Sequence, residues 1–153
     1  EAVAVGAMTG GGTVNAPMGR HPIHRKLMAV LSQGGKRAVT HYRVATRFPH
    51  HTHIKVKLET GRTHQIRVHM AHIGFALVGD KTYGKSFKIP KGANAHLIEA
   101  LKAFPRQALH AAKLGLEHPG TGEYTEWTAP IPEDFKGLLA ALKSGYEHEP
   151  KDE

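Results

Sequence analysis

The sequence contains no cysteine. This absence excludes disulfide bonds, thiolate zinc sites and a cysteine nucleophile, and it is consistent with a reducing compartment. No apolar run approaches the roughly 20 residues that a membrane-spanning helix needs, and no segment resembles a signal peptide. We therefore expect a cytoplasmic protein without membrane association.

Acidic residues are also scarce. The 153 residues include 13 Asp+Glu against 21 Lys+Arg, which gives a formal net charge of +8. Phosphates attract such a basic domain and release counterions when they bind it, so the charge balance favours a nucleic-acid partner. A basic domain with no polyanionic partner remains the alternative. The hydrophobic fraction of 40% is enough for the core of one domain, or of a large piece of one.

The spacing of apolar residues predicts a mixed, largely antiparallel α/β or α+β fold. Alternation predicts strands over Glu1–Met8, Lys26–Leu31, Ala38–Phe48, His53–Glu59, Ala108–His118 and Tyr124–Ala129. Helical spacing predicts helices from the N-cap candidate Thr63 to Gly74, over Ala95–Phe104 and over Pro130–His148. Proline and glycine indicate a loop over Val14–His24.

One short segment concentrates the groups that bind anions. Arg62, His64, Gln65, Arg67 and His69 lie within eight residues, where a strand is predicted to give way to a helix. A helix N-terminus presents free N–H groups and partial positive charge, so these residues indicate a phosphate or carboxylate site. Periodicity alone would equally allow a solvated basic helix face.

The same segment resembles a motif of the ribosomal large-subunit pseudouridine synthases. The run Thr60-Gly-Arg-Thr-His-Gln-Ile-Arg67 is followed by Val68–Gly74 and by Gly79-Asp-Lys-Thr-Tyr-Gly84. Further similar runs are Ala38–Val44, Gln107–Ala111 and Trp127–Pro132. The spacing and the opening Gly11-Gly-Thr-Val14 are most similar to the synthase D subfamily. The resemblance covers nearly the whole chain.

The resemblance implies a fold and an activity. The fold would be the catalytic core of these enzymes, a long bent mixed sheet with flanking helices and a cleft along one face. The activity would be isomerisation of uridine to pseudouridine in ribosomal RNA, by a monomer without cofactor or metal. The target base is flipped out of its stack, and an aspartate in a His-Arg-Leu-Asp motif starts the reaction.

The chain departs from the family pattern in one respect, because it contains no His-Arg-Leu-Asp run. Its earliest acidic residues, Glu1, Glu59 and Asp80, lie in other contexts. We therefore expect residues 1–148 to be the C-terminal part of the catalytic domain, followed by an acidic tail over 149–153. The part with the aspartate and any S4-like RNA-binding domain would lie upstream, and the fragment alone would be inactive.

The resemblance also implies roles for single residues. Arg67 would be the partner of the catalytic aspartate, which needs a nearby cation to stay ionised. Arg62 would bind phosphate near the flipped nucleotide, while His64 and Gln65 would orient the arginines or touch RNA. A basic loop offers further RNA contacts through Arg20, Arg25 and Lys26.

Five residues of the motif are expected to support the structure rather than the chemistry. Gly61 would allow a sharp turn, and Thr63 would cap the helix. Ile66 would pack in the core, and Asp80 and Tyr83 would tie down the loop after the helix.

Two other functions remain open. The 13 histidines invite a metal site, with His69 and His72 on one helix face and His50, His51 and His53 in a cluster. No His-Glu-x-x-His pattern accompanies them, and zinc needs three or four convergent ligands, so we expect no metal. The other alternative is an RNA-binding module without catalysis, which would differ from the enzyme only in what lies upstream.

Overall fold

A computed structural model of the chain describes residues 1–111, 113–117 and 119–146, so the expected acidic tail lies outside the described residues. The strands are β1 (Ala2–Val5), β2 (Gly12–Asn15), β3 (Met18–Arg20), β4 (Met28–Val30), β5 (Val39–Arg47), β6 (His51–Leu58), β7 (Lys113–Glu117) and β8 (Tyr124–Thr128). The helices are α1 (Gln65–His72), α2 (Ala95–Ala103) and α3 (Glu133–Ser144).

The centre of the fold is a four-stranded sheet in the order β1-β6-β5-β2. All its neighbouring strands are antiparallel, and β3-β4 and β7-β8 form two further antiparallel pairs. A bulge between Val44 and Thr46 interrupts the register of β5 and β6. The arrangement confirms the predicted mixed, largely antiparallel fold.

The two faces of the sheet carry different partners. Directly opposite residues of antiparallel strands share a face, and successive residues alternate between faces. On one face, Ala2 and Ile54 pack against Met70 of α1. On the other face, Val3 belongs to a core that contains Leu97 of α2 together with Phe135, Leu138 and Leu142 of α3. The sheet therefore separates α1 from α2 and α3.

Two element predictions need correction. The segment predicted as a loop over Val14–His24 contains β3 and part of β2. These strands are short, and their backbone pairing to β4 and β5 outweighs the local proline and glycine signals. The C-terminal helix begins at Glu133 and ends at Ser144, because Pro132 occupies the N-cap position and Gly145 follows the last turn.

The segment after α1 returns along the free edge of β1. Val5 N–H donates to the Ala76 carbonyl, and Val78 N–H donates to the Val3 carbonyl. Ala108 N–H in turn donates to the Val78 carbonyl. Gly79 ends this segment with φ +76°, and a Cβ there would overlap the backbone oxygen of Arg106.

We expect Gly79→Ala to lower the free energy of unfolding by about 2–5 kcal/mol, through left-handed strain and a displaced backbone. Gly34→Ala is the matched control, because Gly34 has φ +75° with no atom near its would-be Cβ. Its cost is only the backbone strain, about 1–2 kcal/mol. Urea titration measures both changes, and equal losses would show that the Arg106 contact is unimportant.

Among the described residues, three histidines lie in the interior. His51, His53 and His69 are 3%, 8% and 0% exposed. Burial lowers the pKa of His51 to about 4 and moves the pKa of His53 and His69 in the same direction. All three are therefore neutral at pH 7 in the folded chain.

Acid should destabilise the fold, since the unfolded chain binds protons at these histidines near pH 6.5 while the folded chain does not. The stability contributed by neutral His51 is complete above its unfolded pKa and is lost as pH falls toward about 4. At 1.36 kcal/mol per pKa unit, its share is on the order of 3 kcal/mol. Urea midpoints at pH 7 and pH 4.5 should differ less for His51→Leu than for the unaltered chain. An equal difference would contradict this assignment.

Candidate functional site

The first turn of α1 is stabilised by the side chain of a residue that belongs to the helix itself. The helix begins at Gln65, and the preceding His64 has a left-handed conformation (φ 57°) without a side-chain cap. The prediction that Thr63 caps the helix is therefore wrong. Instead, Oε1 of Gln65 accepts hydrogen bonds from the Arg62 N–H at 3.0 Å and from the Thr60 hydroxyl at 2.7 Å.

Gln65 also binds the central sheet. Its Nε2 donates to the Val39 carbonyl and to Oγ1 of Thr40, each at 3.0 Å. The side-chain amide thus makes two bonds as acceptor and two as donor, and the residue is only 2% exposed. Gln65 has no hydrogen-bonding group left for RNA, so that part of its expected role is corrected. It does hold the backbone N–H of Arg62.

A chain of buried polar groups continues from Gln65. Thr40 Oγ1 lies 2.8 Å from Nδ1 of His69, and Nε2 of His69 lies 2.9 Å from the Ala16 carbonyl. A carbonyl only accepts, so Nε2 carries the proton and Nδ1 accepts from the Thr40 hydroxyl. Both ring nitrogens of His69 are occupied. The chain of bonds locks α1 onto β5 and onto the segment before β3.

Arg67 lies two residues after Gln65 in α1 and faces a buried carboxylate. Its Nε and Nη2 donate to Oδ2 and Oδ1 of Asp80 at 2.9 and 3.0 Å. The side chains of Arg67 and Asp80 are 12% and 0% exposed. Arg67 therefore has a carboxylate partner within this chain, whereas its pairing with a catalytic aspartate stays a prediction. Among the residues that the structure describes, no hydrogen bond uses Nη1 of Arg67.

Asp80 is ionised and also organises the following loop. Its Oδ1 accepts from the backbone N–H groups of Thr82 and Tyr83 at 3.1 and 3.0 Å. Burial by itself raises the pKa of Asp80, but hydrogen bonds from Arg67 and from these N–H groups lower it below its usual value. The same pairing raises the pKa of Arg67 despite burial. The ion pair is thus permanent at neutral pH.

Tyr83 joins this ion pair to the helix start. Its ring lies 5.0 Å below the guanidinium carbon of Arg67. Its hydroxyl accepts from the Met28 N–H at 3.0 Å and lies 2.8 Å from Nδ1 of His64. His64 itself is exposed. Tyr83 therefore connects the loop after α1 with β4 and with the left-handed residue before the helix.

An open cavity of about 620 Å³ lies beside this helix start. The basic residues that line it are Arg20, Arg25, Lys36 and Arg62. Its apolar lining includes Met18, Met28 and Leu31. The fold thus brings together three of the predicted RNA-binding residues from segments far apart in sequence. Lys26 is exposed in the same loop but does not line the cavity.

Sequence reasoning missed Lys36 as part of this cavity. Lys36 pairs through its backbone with Met18, at 2.8 and 2.9 Å, and this pairing brings the turn at Gly34 and Gly35 over β3. The available signal was the Gly-Gly-Lys sequence of the turn. Only the contact with β3 places the lysine at the cavity.

Gly61 has a different role from the expected one. Its φ is not positive, and a Cβ at this position would meet no atom within 4 Å. The turn therefore does not require glycine for its own geometry, which corrects that expectation. Because Gly61 lines the cavity, the missing side chain leaves room for a ligand close to the backbone. Ile66 is half-buried and packs in the core between α1 and the sheet.

In the part of the chain that the structure describes, no three histidine or acidic side chains are grouped so that they could hold a metal ion. His50 precedes β6, and His51 and His53 at the start of that strand point to the same sheet face. Within that same part, no helix has the length and apolar content to cross a membrane.

Comparisons with known proteins identify close relatives. Residues 2–72 match the family model described as RNA pseudouridylate synthase. A ribosomal large subunit pseudouridine synthase D from Pseudomonas aeruginosa is 56% identical over 147 residues, covering 96% of this chain and 46% of the relative. The protein of that name from Escherichia coli is 54% identical, covering 100% of this chain and 46% of the relative. The predicted similarity to the synthase D subfamily is confirmed.

The chain spans about half the length of the curated relatives it matches. Two solved structures share its fold. Human RNA pseudouridylate synthase domain containing 1 has a TM-score of 0.65 at 23% identity, over 97% of this chain and 66% of that chain. Human RNA pseudouridylate synthase domain containing 4 has a TM-score of 0.66 at 23% identity, over 93% of this chain and 60% of that chain. The predicted catalytic-core fold is confirmed.

The buried ion pair at this site predicts a large effect on stability. Asp80→Asn removes the charge that neutralises Arg67, and we expect a loss of about 3 kcal/mol or more in the free energy of unfolding. Asp134→Asn is the matched control, because Asp134 also forms a two-bond pair with Arg106. Both side chains of that pair are about a third exposed. There we expect a loss below about 1 kcal/mol. Denaturant titration at pH 7 compares them, and similar losses would contradict the importance of burial.

Proposed function

The chain belongs to the RNA pseudouridine synthase family, and on that basis we propose that its protein isomerises uridine to pseudouridine in large-subunit ribosomal RNA. The observation that carries the proposal is the fixed Arg67 guanidinium on α1, a helix whose preceding residues Gly61, Arg62 and Thr63 line a cationic cavity. Relatives more than 50% identical carry the corresponding name. The cytoplasm, where bacterial ribosomal RNA is matured, is the corresponding location.

The reaction replaces one bond between the ribose and the uracil ring by another. The bond between C1′ and N1 of uracil breaks, the ring turns, and C1′ bonds to C5. The hydrogen on C5 is released and N1 gains a proton, so the product is an isomer and no redox partner is consumed. A carboxylate that acts on the nucleotide must be ionised and oriented for this step.

Arg67 is suited to orient such a carboxylate. Asp80 holds it through Nε and Nη2, and the Tyr83 ring lies against its guanidinium plane. A guanidinium has five N–H donors in a rigid fork, so one carboxylate does not exhaust it. We propose that the remaining donors, including those on Nη1, hold the catalytic aspartate of the upstream half. In this scheme Asp80 is a positioning residue.

The cavity would bind the RNA backbone next to the target nucleotide. Arg20 and Arg62 are anchored by donating to the backbone carbonyls of Arg25 and Arg37, at 3.1 and 2.9 Å. Such anchoring reduces the side-chain entropy lost when phosphate binds. Together with Arg25 and Lys36 they form a concave cationic surface, and concave basic surfaces concentrate phosphate.

We also propose that residues 1–153 do not catalyse by themselves, because none of their acidic residues lies in a His-Arg-Leu-Asp context. The complete protein would supply that aspartate and would act as a monomer. RNA binding without catalysis is then the behaviour expected of this half alone.

The test measures tritium release from transcribed large-subunit RNA that carries 5-tritiated uridine, since bonding at C5 expels that atom. The complete protein should release tritium, and residues 1–153 alone should not. In the complete protein, Arg67→Lys should lower kcat by on the order of 10²-fold, because lysine cannot hold two carboxylates in one plane.

Arg106→Lys is the control, because Arg106 forms the comparable pair with Asp134 at the surface. It should leave kcat nearly unchanged. No release by the complete protein would refute the proposed activity, and RNA binding without release would instead support a non-catalytic module. Full activity of Arg67→Lys, with its unfolding midpoint intact, would remove Arg67 from the mechanism.

A further inference from the structure

The sheet face opposite α1 is only partly covered. Helices α2 and α3 pack over its β1 end, where Val3 is fully buried. Further along the same face, Arg43, Lys55 and Lys57 are all exposed. We call these three residues the basic sheet face. They share a face because Arg43 lies directly opposite Lys55, and Lys57 lies two residues further along β6.

The like charges of this face lie close together across the two strands. Arg43 and Lys55 form a directly opposed pair of cations, and His41 lies opposite Lys57. Like charges directly opposite in a sheet are destabilising. Among the residues that the structure describes, none forms a hydrogen bond or ion pair with the side chains of Arg43, Lys55 or Lys57. The fold thus maintains an unfavourable arrangement that an external anion would relieve.

Among the described residues, two acidic side chains border this face. Glu1 precedes the pair of Ala2 with Ile54, so it lies beside Lys55, and its Oε1 is 3.5 Å from Nε2 of His53.

The second acidic side chain, at the other end of the face, is already engaged. Glu59 accepts from Arg37 at 3.2 Å and lies 2.6 Å from Nε2 of His41. These two partners lower the pKa of Glu59. His41 is further bound to the Thr13 hydroxyl at 2.8 Å. Glu59 therefore cannot neutralise the basic sheet face.

The face is continuous with the cationic cavity. Arg37, the partner of Glu59, accepts at its backbone carbonyl the hydrogen bond from Nε of Arg62, which lines the cavity. A path of polar and basic groups therefore runs from Arg62 around the end of β5 and β6 to Lys57. A polyanion seated in the cavity can continue along this path without meeting an unpaired carboxylate.

We propose that the basic sheet face binds the phosphodiester backbone of the RNA substrate, at a place separate from the target nucleotide. The proposal rests on the proposed function. The three side chains of the face carry no aromatic ring, and Tyr42 belongs to the opposite face. The neighbouring His41 ring is held by Glu59 and Thr13. The face therefore offers charge but no platform for stacking bases, and its contacts position RNA without reading sequence.

The experiment compares two double variants of the complete protein that remove the same charge. Lys55→Gln with Lys57→Gln removes two cations from the face, and Lys102→Gln with Lys143→Gln removes two exposed cations from α2 and α3. Affinity for transcribed large-subunit RNA is measured between 50 and 300 mM KCl. Each phosphate contact contributes about 0.7–0.9 to the slope of log affinity against log salt.

We expect the slope to shrink by about 1.4–1.8 for the face variant and to stay unchanged for the helix variant. In the tritium-release assay, the face variant should have a higher KM and an unchanged kcat. The unfolding midpoint should not fall, because the substitution relieves the contact between Arg43 and Lys55.

Equal slopes for the two double variants would overturn the proposal, including the case in which an acidic protein segment rather than RNA occupies the face. Failure of the proposed function is seen separately, as absence of tritium release by the unaltered complete protein. A shrunken slope without tritium release would refute the activity and retain the RNA-binding face.

Discussion

The amide of Gln65 is the contact on which the candidate site depends. It is buried, and its four hydrogen bonds connect the helix start, the end of β6 and the beginning of β5. An unpaired amide in this interior would cost about 1–3 kcal/mol, so the three elements can occupy only the arrangement that satisfies it. Arg62 before it and Arg67 after it are oriented as a consequence.

The degree of burial distinguishes two arginine–aspartate pairs that have the same hydrogen-bond pattern. Arg67 and Arg106 each form a two-bond pair with an aspartate, yet Asp80 is inaccessible while Asp134 is a third exposed. The buried pair defines one geometry, because moving either partner would leave an unpaired charge in the interior. The exposed pair exchanges with water at little cost. The free donors of Arg67 are thereby aimed by the fold, which is the property that orienting a second carboxylate requires.

The predictions succeeded where a local pattern also governs packing. The alternation in β5 and β6 predicted both strands, because the sheet separates two cores and successive side chains enter opposite faces. They failed where contacts with other segments of the chain determine the local structure. Thr63 has the chemistry of a cap, but Gln65 takes over the first turn. The strands β2 and β3 form around Pro17, because β5 and β4 supply their hydrogen bonds.

Motif spacing, side-chain alternation and charge are properties of the chain alone, so they were enough to predict the similarity to the synthase family, the largely antiparallel fold and the basic character. Which of these groups work together depends on how distant segments pack. The tertiary structure paired Arg67 with Asp80 across 13 residues, and it gathered Arg20, Lys36 and Arg62 around one cavity. These outcomes depend on burial and on strand register, which set the energy of each contact and arise only when distant segments pack.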